Sequence, residues 1–533
     1  EKSRGYQKDS TGSSPYEGSP QKFLIRYRYK YKNLLQYGIT AEKDAGEQFF
    51  KGGQKSGFDF YSAHFFARNI GFIKTLALGD YTINMGQGLV QWQSLGFKKS
   101  SDVLGIKRQG DLIKPYNSAG EINFHRGAAI TLGKKFMSIT GFVSLRKLDA
   151  NFNIDTIHNE DFVSSLQTSG YHRTYNELMD KNSQRQTAFG GDIYYNKNNF
   201  HAGLNAIQYK FKYPLIKADD LYNKFAIKGK NWGNYSFDYS YTHKNIHVFG
   251  EAAVDKKGDK VFVQGLLMNV DAKVDLSFLY RNIAAAYQSL YSNGFTENTL
   301  PTNEKGFFAG ITFKPTDIWR IDAYADLYSF PWLKFRVDAP SSGKDYLLQL
   351  TYKPNKQLEV YSRYRNEKKG INKKFEGFAT NQVVNVPREN WRTQFSYKVN
   401  QQISLRSRLE LLWYDQQAEN KEHGYLIFTD VIFKPLLKPY SAGIRGQYFE
   451  TDSYNSRLYA FENDVLYSYS IPVFYDKGYR YYINLSYDIN KKISVWARFA
   501  QTVYSNRKNA GSGLDEVSGN KKSEIKVQML ASF

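Results

Sequence analysis

Cysteine is absent from this chain of 533 residues, methionine numbers only 5, and no run of about 18 apolar residues occurs anywhere in it. Each absence excludes something. Without cysteine there is no disulfide framework, no thiolate metal site and no thiol nucleophile. Without a long apolar run the sequence offers no helix able to cross a bilayer. A secretory leader would show a short basic start and an apolar core, whereas residues 1–21 are polar and rich in Gly, Ser and Pro. They read as a linker in mature or trimmed material.

What is present is aromatic and basic. There are 43 Tyr, 38 Phe and 7 Trp, 17% of the chain, and 73 Lys+Arg against 51 Asp+Glu give a net charge of +22. So many aromatics argue against disorder. A charged fraction of 23% looks soluble, and the two signals conflict until the periodicity is read.

From Lys22 onward the pattern is alternation. Phe23, Ile25, Tyr27, Tyr29 and Tyr31 alternate with Arg26, Arg28, Lys30 and Lys32, so one face is aromatic and the other cationic. The same period of two recurs at 235–242, 319–327, 391–399, 403–413 and 479–489, which predicts strands wetted on one face. These segments run to about ten residues, the length of a tilted membrane-spanning strand rather than of an average soluble one. About 22 to 26 such segments are expected. Tight connections such as Lys197-Asn198, Lys314-Pro315-Thr316-Asp317 and Asn490-Lys491-Lys492 alternate with long ones near 150–185, 212–233, 284–305, 329–343, 368–389 and 504–522. Outer-membrane barrels show this alternation of short periplasmic turns and long external loops. An open strand edge cannot be satisfied in lipid, so the expected fold is all-β, a closed antiparallel transmembrane β-barrel over residues 22–533 in a bacterial outer membrane. A soluble propeller would show shorter strands and an internal repeat of about 40–50 residues, and none is visible.

The terminal segment fits this reading. Ile525, Val527, Met529, Ala531 and Phe533 alternate with polar neighbours, and the closing Phe533 resembles the signal that outer-membrane proteins present to their insertion machinery. Strand parity does not fit. Counting back from a periplasmic C-terminus makes the strand after Lys22 run downward from the outside, which implies a miscounted strand within 84–121, 451–478 or the N-terminal segment.

Residues 84–121 are too long for a turn and alternate poorly. They could fold into the lumen as a constriction lined by Lys98, Lys99, Lys107, Arg108 and Lys114, or form an external loop with solvated lysines. Gly86 and Gly88 lack the pattern of a phosphate-binding loop. On strand polar faces, Arg26, Arg28, Lys30, Arg406 and Arg408 would favour an anionic solute if they face a lumen, or brace the wall against carboxylates such as Glu42, Asp322 or Glu410. Part of the positive excess is expected to meet outer-membrane lipid and lipopolysaccharide phosphates. Catalysis finds little support, because eight scattered histidines make no convincing acid–base pair; His243 and His247 flank a predicted turn, so a metal pair is not expected either. No cofactor is implied. The chain also lacks the large plug domain of energised transporters and the periplasmic repeats of insertion-machinery barrels.

Three stretches carry a resemblance: residues 79–89 (Gly-Asp-Tyr-Thr-Ile-Asn-Met-Gly-Gln-Gly-Leu) continuing through 99–103, residues 458–468 (Leu-Tyr-Ala-Phe-Glu-Asn-Asp-Val-Leu-Tyr-Ser), and residues 38–47. They resemble the barrel region of a Bacteroidota outer-membrane family labelled as helix-hairpin-helix proteins, in which a small module similar to DNA-uptake receptors precedes the barrel. The resemblance implies location and barrel type. No helix-hairpin-helix pattern occurs before Lys22, so DNA binding transfers to no residue here. Two functional readings follow. One is a channel or uptake barrel for an anionic ligand, linked to DNA only through the resemblance. The other is a non-conducting partner of envelope proteins, with aromatic loops such as 467–482 as docking surfaces.

Overall fold

Alternation produces strands because successive side chains of an extended backbone point to opposite faces. In the computed structural model, which describes residues 2–154, 161–377, 380–415 and 421–533, one antiparallel sheet dominates. Leaving aside three short strands, it contains twenty-three long ones among the described residues. In chain order they are β1 Phe23–Tyr31, β2 Leu35–Lys43, β3 Phe60–Ile70, β4 Ile73–Ile83, β5 His125–Lys134, β6 Met137–Leu148, β7 Gln184–Lys197 and β8 Phe200–Leu215. Next come β9 Gly229–His243, β10 Ile246–Asp255, β11 Lys260–Asp271, β12 Val274–Ile283, β13 Glu304–Thr316, β14 Trp319–Phe330 and β15 Ser341–Tyr352. The last are β16 Leu358–Lys373, β17 Gln382–Lys398, β18 Ile403–Tyr414, β19 Glu422–Phe433, β20 Tyr440–Thr451, β21 Lys477–Asp488, β22 Ile493–Tyr504 and β23 Lys521–Ala531.

Each long strand pairs with its neighbours in sequence, so the sheet is a continuous meander from β1 to β23. The connections divide by end. One end carries turns of two to six residues, such as Asn198-Asn199, where Asn198 takes the left-handed conformation (φ 54°) that a tight hairpin needs. The other end carries the long connections 84–124, 149–183 and 452–476. The expected loop at 368–389 is shorter than the sequence pattern suggests, because β16 continues to Lys373 and β17 begins at Gln382.

Residues 2–22 lie across the long-connection end, where the Arg4 amide donates to the Glu516 carbonyl (2.8 Å) and the buried Tyr16 hydroxyl donates to Asp515 (2.7 Å). The polar N-terminal stretch is therefore folded onto the connections that precede β3, β7 and β23, with further backbone bonds to Gly46 and Arg173.

Burial is inverted relative to a water-soluble protein. On β6 the exposed side chains are Met137, Ile139, Val143 and Leu145, while Ser138, Thr140, Ser144 and Arg146 are buried. On β21, Tyr479, Ile483, Leu485 and Tyr487 face out and Arg480 faces in. A wall that is apolar outside and polar inside, built from long antiparallel strands, is that of an outer-membrane β-barrel, and it places the chain in a bacterial outer membrane.

The strand count keeps the parity problem and locates it. Residues 84–124 contribute only the three-residue strand Ile113–Pro115, and 452–476 only the pair Leu458–Tyr459 and Val473–Phe474, so neither hides a spanning strand. With twenty-three strands, β1 and β23 both run from the long-connection end to the short-turn end.

Candidate functional site

The lumen is occupied by connections of this chain: on one side 84–124, against which 284–303 packs through the buried Tyr287 and Phe295, and on the other 452–476. Residues 84–124 pack against the inner faces of β9 to β15 and bury Met85, Leu89, Val90, Val103 and Ile106 in the main core, against Phe249, Val263, Leu279 and Phe308. The turn at its start is built around a wall carboxylate. Glu251 accepts the amides of Gln87 (2.6 Å) and Leu89 (3.1 Å), and a Cβ on Gly86, at φ +49°, would stand 2.7 Å from that carboxyl. The two glycines of the Gly-Gln-Gly stretch thus bend backbone around an internal carboxylate, a small anion nest filled by the protein itself. Gln91, fully buried, continues the contact by accepting from the Tyr209 hydroxyl (2.7 Å) and meeting His125 Nε2 at 3.1 Å.

The basic side chains of this segment tie it down. Lys99 lies 2.7 Å from Glu297, 2.8 Å from Asp345 and 3.1 Å from Asp326, with 6% of its side chain exposed. Burial opposes its charge, but the carboxylates of Glu297, Asp345 and Asp326 outweigh that and hold its pKa well above the ordinary lysine value. Lys98 donates to the Asn298 carbonyl, and burial lowers its pKa to about 8. Arg108 donates to the carbonyls of Phe97 (2.6 Å), Asn293 (2.8 Å) and Gly294 (3.1 Å), and burial lowers its pKa to about 10. Lys107 meets His247 Nε2 at 2.8 Å, and Lys114 lies half-buried in the short strand Ile113–Pro115. Four of the five basic residues expected to line a constriction therefore brace the segment, and the segment itself fills the space.

Residues 452–476 do the same on the other side with the opposite sign. Glu462 accepts from Arg480 (2.6 and 2.9 Å) and pairs with Arg498; Asp464 lies 2.8 Å from Arg498 and 2.7 Å from Lys526. The apolar contact is smaller, with Leu458, Ala460 and Phe474 packed on Leu412, Leu426, Phe428 and Phe449. Arg406 and Arg445 share Asp430, and Arg406 also donates to Asn463 of the inserted segment.

Between the two segments the inner wall carries an arginine row. The ladder register places Arg363 opposite Arg392, Arg392 opposite Glu410, and Gln394 opposite Arg408. Arg392 holds Glu410 in a two-point contact (2.7 and 2.8 Å). Arg408 donates to the neutral Gln394 and lies 3.9 Å from Glu410, and Arg363 Nε has no hydrogen-bond partner among the described residues. Arg26, Arg28 and Lys30 face inward on β1, since Arg26 is opposite the buried Thr40 while Tyr27 and Tyr29 are opposite the outward Ile39 and Tyr37.

Above the first segment, at the long-connection end, a cavity of about 740 Å³ is lined by Asp59, Glu121, Arg146, Asp149, His172 and Lys181 among others. The His172 ring joins two connections, with Nδ1 on Asp59 and Nε2 3.2 Å from Asp149. Glu47, Asp59 and His172, and likewise Glu121, Asp149 and His172, bring ligand atoms within 4.8 Å of one another and are the residues that could hold a cation. Lys181 already pairs with Asp59 there. Burial and the neighbouring Asp59 raise the pKa of Glu121 to about 8. Burial opposes the charge on His172, but Asp149 and Asp59 outweigh it and raise its pKa to about 10.

No family model and no curated protein matches the sequence. Among solved structures, the siderophore receptor PirA from Acinetobacter baumannii is 8% identical with a TM-score of 0.44, covering 96% of this chain and 80% of that one. OccAB3 from the same organism is 11% identical at a TM-score of 0.30 over 65% of this chain and 92% of its own. OmpT, an outer membrane protein of Vibrio cholerae, is 11% identical at 0.29 over 65% and 97%. Likenesses this slight assign no role to any residue.

Sequence reasoning placed Arg26, Arg28, Lys30, Arg406 and Arg408 on the polar face of their strands, and the structure puts them on the inner wall. It missed Glu251, Arg363, Arg392, Glu462 and Asp464. Glu462 and Asp464 lie within the stretch 458–468 that carries the family resemblance, and that was the one available signal.

Proposed function

We propose that this chain is an outer-membrane uptake barrel whose passage follows the arginine row of β16 to β18 and admits an anionic solute when residues 452–476 withdraw. The observation that supports the reading is the charge imbalance on that face: Arg363, Arg392 and Arg408 have Glu410 as their common carboxylate. Arginines under-compensated inside a low-dielectric lumen attract anions and supply forked donors for carboxylate or phosphate groups. The same argument separates this row from Arg281 and Arg445, which are fully buried and paired with carboxylates.

The second reading, a non-conducting barrel that serves as a partner for other envelope proteins, is favoured by the filling of the lumen from both sides. Planar-bilayer recording separates the two. On the uptake reading, protein in which the acidic segment is loosened by Glu462→Gln gives anion-selective current, and adding Arg363→Ala and Arg408→Ala reduces that selectivity. Silence from both the unaltered protein and the Glu462→Gln variant overturns the uptake reading and leaves the second.

A further inference from the structure

The two ends of the wall are unfinished in matching ways. β1 is hydrogen-bonded to β2 on one side only, and all nine of its residues are exposed. β23 pairs with β22 on one side only. No ladder joins β1 to β23 among the described residues. In the hydrocarbon of a bilayer a row of unpaired amides and carbonyls has no water to turn to, so a barrel wall must leave no edge.

Direction limits what can fill the seam. Both edge strands run from the long-connection end to the short-turn end, so direct closure would insert one parallel ladder into a wall that is otherwise antiparallel. A strand running the other way is antiparallel to both edges and makes the count even.

We propose that one further strand, supplied by this polypeptide from the segment immediately before Glu1, lies between β23 and β1 and completes a wall of twenty-four strands. Three observations support it. The first is position: such a strand climbs from the short-turn end and emerges at the long-connection end beside the start of β23. Residues 2–22 set out from that place, with the Arg4 amide on the Glu516 carbonyl, and cross to Phe23 at the top of β1. The chain therefore needs no reversal to pass from the added strand into β1. The second is charge: the inward side chains flanking the seam are Arg26, Arg28 and Lys30 on β1 and Lys522, Glu524 and Lys526 on β23. The inward positions of the added strand are thus expected to carry carboxylates or amides. The third is the outer surface: Ile25, Tyr27 and Tyr29 on one side and Ile525, Val527 and Met529 on the other are all exposed, so the outward positions are expected to be apolar and to continue the lipid-facing band. A length of about 9–11 residues spans the bilayer. The proposal is independent of what, if anything, the lumen passes.

Residues 1–533 contain no cysteine, so a pair introduced there has no native thiol of this stretch to compete with it. In the full polypeptide as isolated from outer membranes, Ile25, Tyr27 or Tyr29→Cys is combined with Ile525, Val527 or Met529→Cys. Adjacent strands would bring some pair of Cβ atoms to about 5 Å and form a disulfide on oxidation. An intervening strand separates them by two strand spacings, about 10 Å. The expected result is no disulfide in any pair, with bridging by a bis-maleimide about 10 Å long; a disulfide in any pair overturns the proposal. A photo-crosslinking benzoylphenylalanine in place of Tyr27 then identifies the neighbour by mass spectrometry. Capture of a peptide preceding Glu1 is expected, and capture of another polypeptide, or of lipid alone, overturns it.

Discussion

Residues 84–124 enter the lumen with five basic and three acidic side chains, and residues 452–476 enter it with one basic and four acidic. Each meets a wall of the other sign. The first is received by Glu251, Asp326 and Asp345, with Glu297 from a neighbouring connection, and the second by Arg480, Arg498 and Lys526. The forces differ as much as the signs. The first segment buries a string of large apolar side chains in the main core and sets two of its five cations, Lys98 and Arg108, on backbone carbonyls. The second has a small apolar contact and is held chiefly by buried ion pairs. Apolar burial is non-directional and tolerates the loss of one contact, whereas a buried ionic cluster fails when one partner is removed and its counter-charges are left without compensation. On the uptake reading proposed above, the acidic segment is the one that withdraws and the basic one stays in place.

The strongest way to break that contrast is Glu462→Gln. The change keeps shape but strips the shared carboxylate from Arg480 and Arg498, both buried, and is expected to cost about 3–5 kcal/mol in the docking of 452–476. Protease sensitivity confined to that segment, with heat-modifiable migration of the barrel otherwise retained, checks it. An unchanged digestion pattern would remove the ionic account of this half.

Next in size is Lys99→Met. Each carboxylate it touches keeps a second cation, Lys369 on Glu297, Arg281 on Asp326 and Arg365 on Asp345, so the loss is expected at the lower end of that range, about 3 kcal/mol. Because the surrounding core remains, the segment should stay in place, and amide exchange should quicken around residues 97–103 while 85–91 stays protected. Leu89→Ala, which removes a fully buried side chain, is expected to cost about 2 kcal/mol and to raise exchange along the whole first segment. If the lysine change released the segment and the leucine change did not, the roles of charge and apolar burial would be the reverse of those argued here.

The parts legible in sequence were those governed by local periodicity. A period of two separates the two faces of a strand, which is why Arg406 and Arg408 could be placed together on a polar face from their spacing alone, and the structure shows that face to be the inner wall. The odd strand count also showed in the alternation of connection lengths, but it read there as a miscounted strand, and neither 84–124 nor 452–476 holds another spanning strand. Residues 84–121 could be suspected of entering the lumen because their alternation fails. What they meet could not be read, since apart from Phe97 the carbonyls that take Lys98 and Arg108 come from residues 293–298, about 200 positions away, where nothing local marks a carbonyl as a receptor. The acidic latch was invisible for the same reason. Glu462 and Asp464 are two carboxylates in a loop until the meander brings Arg480, Arg498 and Lys526 to face them.

The smallest expected effect tests whether the two halves are independent. His172 fastens the connections 44–59 and 149–183 above the basic segment, and its imidazolium between Asp59 and Asp149 has its pKa raised to about 10. A histidine whose folded pKa lies above its unfolded value of about 6.5 contributes stability that is complete below that value and is lost as pH rises through about 10. Glu121 lines the same cavity, and the pKa of its buried carboxyl is raised from about 4.5 to about 8, so its contribution falls in the same direction between about pH 4.5 and 8 and overlaps only the lower part of the histidine range. Raising the pH from about 6.5 to 10 should therefore loosen 149–183 progressively, and His172→Gln should flatten that dependence by removing the larger contribution. The Glu462 cluster lies on the far side of the lumen and is built from arginines that keep their charge throughout this range. Limited proteolysis across the pH series should thus cut within 149–183 while sparing 452–476, and simultaneous release of both would mean that the two halves of the filling act as one.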